Sequence, residues 1–501
     1  MLETNGGATL VASLTSAPAD GLLARLSPSC GVLEVRADLV GELDPDELRR
    51  GFDGKLLYTL RSEAEGGGAA EHERGARLAV AAGRYDLVDL EAERDLTKDV
   101  LDAVPAAKRV VSWHGEATDV AGLKRRFEAM SREPAVLYKL APAASDARQA
   151  LAPLALLASL DRDDVVAFAT GGTGLWTRLL APRLGARVVF GAAGDPPAAP
   201  GQPTIERLVT DYGLPALAPV EAIYGIVGDP VLHSLSPRLH NACYAASGVP
   251  ALYLPFSVSV FGDFWLDLVE RNSLEVLGFP LRGLSVTAPF KQVALAVSGA
   301  TSPLAERVGS ANTLVRRDHV WEAESTDAAG VLGPLRAAAV ELDGRPCAVV
   351  GAGGAGRAAA FALAEAGARV TLVNRGADRG ARVARELGVS FVPLDELDPA
   401  DFELVVNGTP LGTDASGELP VDPAAIATIR GGWLVDLVYQ ADGPTRLARA
   451  AAEAGLGVVD GREVLFHQAL RQFELMTGRP MPRDVGRRCL GLAPEAADGG
   501  G

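Results

Sequence analysis

Over the first two hundred residues, short apolar runs alternate with longer segments rich in Ala, Leu, Glu and Arg. Eight runs read as strands: ATLVASL, GVLEVRA, KLLYTLR, YDLVDLE, KRVVSWH, AVLYKLA, VVAFAT and ARVVFG. Segments such as AEHERGARLAVAAG carry the residues that favour helix. Eight strand–helix units in about two hundred residues predict a (β/α)8 TIM barrel over residues 1–212. The proline-punctuated DYGLPALAPVEA predicts a linker over 213–221. A second α/β region follows, with one lobe expected over 222–330. From GRPCAVVGAGGAGRAAAFALAEAGARVTLVNR onward the pattern is strand, glycine turn, helix and strand, which predicts a Rossmann-type lobe over 331–461. The low-complexity tail APEAADGGG is expected to be disordered over 491–501.

Polar residues interrupt the barrel strands at their carboxyl ends, where a parallel barrel carries its active site. They are Glu34, Arg36 and Asp38 in EVRAD, Arg61 with Glu65 and Gly66 in YTLRSEAEGG, and Asp89 and Glu91 in DLVDLEAE. Ser112 and His114 follow in VSWHG, then Lys139 in AVLYKLAP, Arg178 in TGLWTR and Gln202 in AAPGQ. Lys139 has two readings: a strand-end lysine whose head reaches water, or an amine of lowered pKa that attacks a carbonyl. Singly, the others read as structural ion pairs, and His114 as a satisfied core histidine. Together they place many charges on one rim, which is costly without a compensating use. Lys139 would then form an iminium with a ketone, acidifying the adjacent carbon. His114 would remove that proton and return it to a leaving hydroxyl, with Glu91 fixing the imidazole tautomer and the arginines anchoring a carboxylate. The residue types thus predict elimination of water from a hydroxy-keto acid.

The strings EVRAD, TLRSEAEGG, VDLE, SWHG, LYKLA, GLWTR and APGQ occur in the order seen in type I 3-dehydroquinate dehydratases, which residues 8–210 resemble. The resemblance implies Lys139 as the Schiff-base lysine, His114 as the general acid/base, and Glu34, Arg36, Arg61, Arg178 and Gln202 as substrate contacts. Three positions depart from the family pattern: Ala198 for a serine, Thr170 for a methionine, and Gly115 for an acid.

In VVGAGGAG, Gly351, Gly353 and Gly356 stand between a predicted strand and a helix, the context a dinucleotide fingerprint needs. A ligand-free glycine turn is the alternative. After the next strand comes Asn374, Arg375 and Arg379 in place of an acid, which favours the 2′-phosphate of NADP. Upstream, Ser234 and Ser236 flank Leu235 before Pro237; their hydroxyls could hold a carboxylate or simply start a helix. These strings, with SVTAPFK, VGSANTL, ESTDAAG, NGTP, DLVYQ and GREVLFHQAL, resemble shikimate dehydrogenases over about residues 222–485. The resemblance implies Lys291 and Asp327 as the catalytic pair, with Ser234, Ser236, Thr287, Asn312, Tyr439 and Gln468 around shikimate. It places Gly351, Ala352, Gly353, Gly354, Ala355, Gly356, Thr409, Leu437 and Gly461 on the cofactor, and helices of 462–490 back on the substrate lobe. Ser285, Ser325 and Val464 depart from the usual residues.

The two resemblances imply consecutive reactions: dehydration of 3-dehydroquinate, then NADPH-dependent reduction of 3-dehydroshikimate to shikimate. A dehydrogenase half that also takes quinate, and a metabolite-sensing regulator of weak activity, are the rival readings. The chain has 501 residues, 48% hydrophobic and 22% charged, as a soluble globular protein of two or three domains would. Its net charge of -16 argues against a nucleic-acid surface. The four scattered cysteines have no metal or redox spacing, the N-terminus lacks a signal-peptide pattern, and no apolar run is long enough to span a membrane. A cytoplasmic location and no metal are expected.

Overall fold

A computed structural model describes residues 7–26, 28–116, 118–194, 196–412, 417–429, 432–441 and 443–495. Of the tail, 491–495 are described and 496–501 lie outside the described residues. The chain forms two compact units. The first comprises Met1–Ile223, Pro230–His233 and Pro250–Leu281; the second comprises Tyr224–Asp229, Ser234–Val249 and Arg282–Gly501.

All eight expected strands of the first two hundred residues form. They are β1 (Thr9–Leu14), β2 (Cys30–Arg36), β3 (Lys55–Thr59), β4 (Leu87–Glu91), β5 (Arg109–Glu116), β6 (Leu137–Ala143), β7 (Val165–Ala167) and β8 (Val188–Ala192). Their order is β7-β6-β5-β4-β3-β2-β1-β8, with parallel pairing throughout. Because β1 pairs with both β2 and β8, the sheet curls into a nearly closed barrel. The period of two explains how an apolar strand can carry charge. In β4, Asp89 and Glu91 alternate with Val88 and Leu90; in β5, Ser112 and His114 alternate with Val111 and Trp113. One set packs outward under the helices, each fully buried large apolar side chain contributing about 1.5–3 kcal/mol. The other set meets inside, where Ser112 Oγ donates to Asp89 at 2.6 Å.

The remaining strands are β9 (Ala222–Gly228), β10 (Ala251–Ser257), β11 (Leu281–Val286), β12 (Ala300–Thr301), β13 (Thr313–Arg317) and β14 (Val320–Glu324), followed by six more. Those six are β15 (Pro346–Val350), β16 (Arg369–Asn374), β17 (Ser390–Pro393), β18 (Leu404–Asn407), β19 (Trp433–Asp436) and β20 (Gly457–Val459). Strand β10 belongs to the first unit, where Phe256 meets Trp176 at 5.6 Å between ring centroids.

The second unit holds two sheets. In one, β9, β11, β13, β14 and β12 follow in that order, with β13 antiparallel to both neighbours. In the other, the order is β17-β16-β15-β18-β19-β20, all parallel. Counted from β15 this is 3-2-1-4-5-6, the doubly wound order that opens a crevice between its first and fourth strands. Val349, Leu363, Leu372, Val406 and Val435 form the core of that lobe. Helix Gly461–Thr477 packs on the first sheet of the unit: Gln472 Nε2 donates to Thr313 Oγ1 at 3.1 Å, and Tyr224 Oη to the Met476 carbonyl at 2.7 Å.

Candidate active sites

A cavity of about 360 Å³ opens at the carboxyl ends of the barrel strands, lined by Glu34, Arg61, His114, Lys139, Arg178 and Gln202 among others. Lys139 sits within β6, paired in register with Ser112, and not at the strand's end. Its side chain is buried: the residue is 6% exposed. No hydrogen bond or ion pair holds its ammonium among the described residues, and Nζ lies 4.0 Å from the centroid of the Phe190 ring. Burial pushes its pKa down to about 8, against the pull of Glu34 and Asp89. A fraction of neutral amine near neutrality is what nucleophilic attack requires.

His114 lies near the end of β5. Its Nδ1 is 3.0 Å from Glu65 Oε2, and the same oxygen accepts the His114 amide at 3.1 Å. Burial, with Arg61 and Lys139 nearby, holds the imidazole well below its ordinary pKa, so it is neutral and able to take a proton. Burial pushes Glu65 up to about 7.

This geometry corrects the assignment of Glu91 as the histidine's partner. Glu91 accepts the Ser62 amide at 2.7 Å and the Ser62 hydroxyl at 2.6 Å, with Arg61 at 3.4 Å. The chain after β3 folds back as a short 3-10 turn, Glu63–Glu65, capped by Ser62, whose Oγ accepts the Glu65 amide. That turn carries Glu65 over the end of β5, and Glu91 is buried beneath it, fixing its base.

The carboxylate anchors are held in different ways. Arg36 forks onto Asp38 at 2.7 and 2.9 Å and reaches the Ala198 carbonyl at 3.4 Å. Arg61 bonds Asp89 at 3.1 Å, Ser112 at 2.9 Å and Glu65 at 3.2 Å. Arg178, 5% exposed, meets no carboxylate among the described residues; Nη1 donates to the Phe190 carbonyl at 2.7 Å, and the guanidinium lies 4.0 Å over Phe168. Burial pushes its pKa down to about 9, so an incoming carboxylate would relieve an uncompensated charge. Glu34 accepts from Ser13 and, at 2.9 Å, from Thr59; burial opposes its charge, but Lys139 and Arg36 outweigh it and hold the pKa low. Gln202 donates to Ser13 at 3.3 Å and accepts from the Ala198 amide at 3.0 Å. The chemistry of Ala198 therefore runs through its backbone. Of the other departures, Thr170 donates its hydroxyl to the Pro142 carbonyl at 3.3 Å, and Gly115 lines the cavity.

Sequence reasoning missed Ser13, Phe168 and Phe190, and gave Glu65 no role. It also missed the fully buried Arg74, which bonds Asp95 and lies 3.6 Å from Glu91. Ser13, the buried hydroxyl of β1, was the available signal.

In the second unit, Lys291 Nζ donates to Asp327 Oδ2 at 2.6 Å. The other oxygen of Asp327 accepts from Asn312 at 2.9 Å and Gln468 at 2.8 Å, and the residue is 1% exposed. A carboxylate saturated in this way holds the amine beside it in place. Ser234 Oγ lies 3.5 Å from Tyr439 Oη and accepts the Ser236 amide at 3.2 Å. Thr287 follows β11, its amide on the Val227 carbonyl at 2.9 Å.

The glycine turn fits a dinucleotide. Gly351 has φ +107°, and a Cβ on Gly356 would stand 1.9 Å from the Gly351 carbonyl oxygen. Side chains are thus excluded where the backbone must come close to a diphosphate. Ala352 and Ala355 complete the turn, and a Cβ on Gly353 would meet nothing within 4 Å. The amides opening helix Gly354–Glu365 are free to face an anion. A Cβ on Gly354 would stand 2.9 Å from Lys291 Cδ and 3.1 Å from Lys291 Cβ. Asn374, at the end of β16, accepts the Ala352 amide at 3.1 Å. Arg375 and Arg379 are exposed and make no ion pair with a described residue. Thr409 bonds Asn407 Oδ1 at 2.7 Å, and the Leu437 amide bonds the Asn407 carbonyl at 3.1 Å. Gly461 opens its helix with no room for a side chain, a Cβ there standing 2.2 Å from the Val438 carbonyl. Asn407, Asp436 and Thr445 form a buried hydrogen-bonded set beneath this rim that sequence reasoning also missed. Val464 packs in the core of the nucleotide lobe.

Fold and sites together define an enzyme class: an amine-bearing barrel joined in one chain to a dinucleotide-linked oxidoreductase. The type I 3-dehydroquinase family model matches residues 10–216, the shikimate dehydrogenase substrate binding domain 226–314, and the shikimate 5′-dehydrogenase C-terminal domain 461–488. An FAD binding domain model also matches 347–414, the strand–glycine turn–helix segment that dinucleotide folds share. The chloroplastic bifunctional 3-dehydroquinate dehydratase/shikimate dehydrogenase of Arabidopsis thaliana is 30% identical over 489 residues, 91% of this chain and 79% of that one. The shikimate dehydrogenase (NADP(+)) of Anaeromyxobacter dehalogenans is 39% identical over 54% of this chain and 95% of its own. The crystal structure of Thermus thermophilus shikimate 5-dehydrogenase with NADP(H) and shikimate is 33% identical, covers 54% of this chain and 98% of that one, and has a TM-score of 0.48. The chain belongs to the bifunctional 3-dehydroquinate dehydratase/shikimate dehydrogenase family.

Proposed function

We infer that this chain catalyses two consecutive steps: dehydration of 3-dehydroquinate to 3-dehydroshikimate in the barrel, then NADPH-dependent reduction to shikimate in the second unit. The observation that carries the reading is the pair of lysines in opposite settings, Lys139 buried without an ion-pair partner among the described residues and Lys291 bound to Asp327 at 2.6 Å. The amine of Lys139 attacks the substrate ketone, and water leaves as the iminium forms. His114 Nε2 takes a proton from the adjacent carbon, Nδ1 being turned toward Glu65, and returns it to the departing hydroxyl as the double bond forms. A second water hydrolyses the iminium and frees Lys139. Arg178 receives the substrate carboxylate; Glu34, Arg36, Arg61 and Gln202 orient its hydroxyls.

In the second unit, Gly351 to Gly356 hold the cofactor diphosphate, Asn374, Arg375 and Arg379 its adenosine end, and Thr409, Leu437 and Gly461 the remainder. Bound NADPH supplies hydride to the carbonyl carbon. Lys291 delivers the proton to the carbonyl oxygen, and Asp327 keeps its amine aimed. Ser234, Ser236, Thr287, Asn312, Tyr439 and Gln468 seat the ring and its carboxylate. The domain limits that go with this reading are 1–212 for the barrel, 213–221 for the linker, 222–330 with 462–490 for the substrate lobe, and 331–461 for the NADP lobe. No helix among the described residues is long and apolar enough to cross a membrane. A cytoplasmic setting is part of the proposal, supported by four free cysteines. The presence of Lys139, His114, Lys291 and Asp327 speaks against a regulator, and the Ser234/Ser236 pair favours shikimate over quinate.

The test is a progress curve. The full chain, given 3-dehydroquinate and NADPH, yields shikimate with matching NADPH loss; dehydration without NADPH consumption, or the reverse, refutes one half.

A further inference from the structure

Lys139 and Arg178 are buried cations of the barrel cavity, and neither has a carboxylate within ion-pair distance among the described residues. Each lies 4.0 Å over an aromatic ring instead, Lys139 over Phe190 and Arg178 over Phe168. Phe190 serves both, because its carbonyl oxygen accepts the Arg178 Nη1–H at 2.7 Å. A ring face attracts a cation through its quadrupole without carrying a charge. A carboxylate in the same place would hold the amine protonated and would compete for the guanidinium.

We propose that Phe190 is a positioning residue for both cations, its ring seating the Lys139 amine and its carbonyl aiming Arg178 at the incoming carboxylate. This rests on the reading of Lys139 as the Schiff-base nucleophile. The charged and titratable groups that face Lys139 are Glu34 from β2, Arg61 from the turn after β3, Asp89 from β4, His114 from β5, and Arg178 from helix Leu175–Leu180. Fluorinating the Phe190 ring changes none of them and leaves the carbonyl in place, so the ring's contribution can be isolated.

The experiment uses the full chain with Phe190 replaced by mono-, tri- and pentafluorophenylalanine, and separately Phe190→Leu. Borohydride with 3-dehydroquinate, followed by peptide mass analysis, identifies the trapped lysine. The pH dependence of kcat/KM for dehydration then reports the lysine's apparent pKa. Removing the π face destabilises the ammonium, so the acid limb shifts to lower pH as fluorination increases, by about half a pH unit or more for the pentafluoro ring. KM stays within about threefold, because the carbonyl that holds Arg178 is unchanged. Phe190→Leu, if it folds, shifts the limb in the same direction; if it does not, the fluorinated series carries the test. An adduct on Lys139 with no shift, or a shift to higher pH, overturns this inference alone. No adduct on wild-type Lys139 overturns the Schiff-base reading and this inference with it.

Discussion

Lys139 and Lys291 have the same side chain, yet the two units treat it in opposite ways. In the barrel the amine is enclosed, faces a ring and has no anion within ion-pair distance among the described residues, and burial brings its pKa to about 8. In the second unit the amine is clamped to Asp327 at 2.6 Å, and two amide side chains complete that carboxylate's hydrogen bonds. A nucleophile must spend time without its proton, whereas a proton donor must keep one until the carbonyl oxygen needs it. On the proposed roles, the barrel gives its nucleophile no carboxylate partner among the described residues, and the second unit seats its proton donor on a saturated one. The environment, more than the residue type, sets the chemistry.

This contrast can be broken most completely at the lysines. Lys139→Ala should abolish dehydration and leave NADPH-dependent reduction near the wild-type rate; Lys291→Ala should lower reduction about 10²–10⁴-fold and spare dehydration. Separate steady-state assays on 3-dehydroquinate and 3-dehydroshikimate decide it, and loss of both rates in either variant would mean that the lysine supports the fold. His114→Ala should slow dehydration by about a hundredfold or more, with borohydride trapping on Lys139 partly retained. Unchanged turnover would show that another group moves the proton.

Smaller effects sharpen the comparison. Arg375→Ala and Arg379→Ala should each weaken NADPH binding by about tenfold or more, from the loss of about 1.5–3 kcal/mol per charged hydrogen bond, and NADH far less. Equal changes in both Michaelis constants would show that the arginines read no phosphate. Glu65→Gln should lower dehydratase kcat about tenfold with little change in melting temperature. Glu91→Gln should do the reverse, lowering the melting temperature by a few degrees through the loosened Ser62 turn. Finally, the rate of Schiff-base trapping should rise as pH rises through about 8, because only the neutral amine attacks. A flat profile over that range would place the Lys139 pKa elsewhere.

Much of this was legible in the order of residues. The alternation of short apolar runs with helix-forming segments identified all eight barrel strands. The strand–turn–helix setting of VVGAGGAG likewise marked the doubly wound lobe. What could not be read was which carboxylate meets His114. Glu91 and His114 lie on adjacent strands and look like natural partners, but Glu65 reaches the ring because the chain capped by Ser62 turns back over the barrel mouth. That fold-back is a tertiary fact. Phe168 and Phe190 were invisible for a different reason: an aromatic residue in an apolar strand reads as core, and nothing local shows that a cation will lie on its face. Arg74 opens a helix that also buries Leu78, Ala81 and Ala82, and nothing local in that helix-forming segment shows that an arginine will be buried against Asp95.

The stem of Lys291 lies across Gly354, so the glycine turn and the proposed proton donor share one piece of space. For anyone wishing to redesign coenzyme choice, this divides the lobe into editable and fixed ground. Exchanging Arg375 and Arg379, which are exposed and make no ion pair with a described residue, would alter the proposed adenosine end without touching the turn, whereas Asn374 holds the Ala352 amide. Grafting a foreign turn with any side chain at position 354 would displace the lysine from Asp327, trading a new coenzyme for a slower reductase.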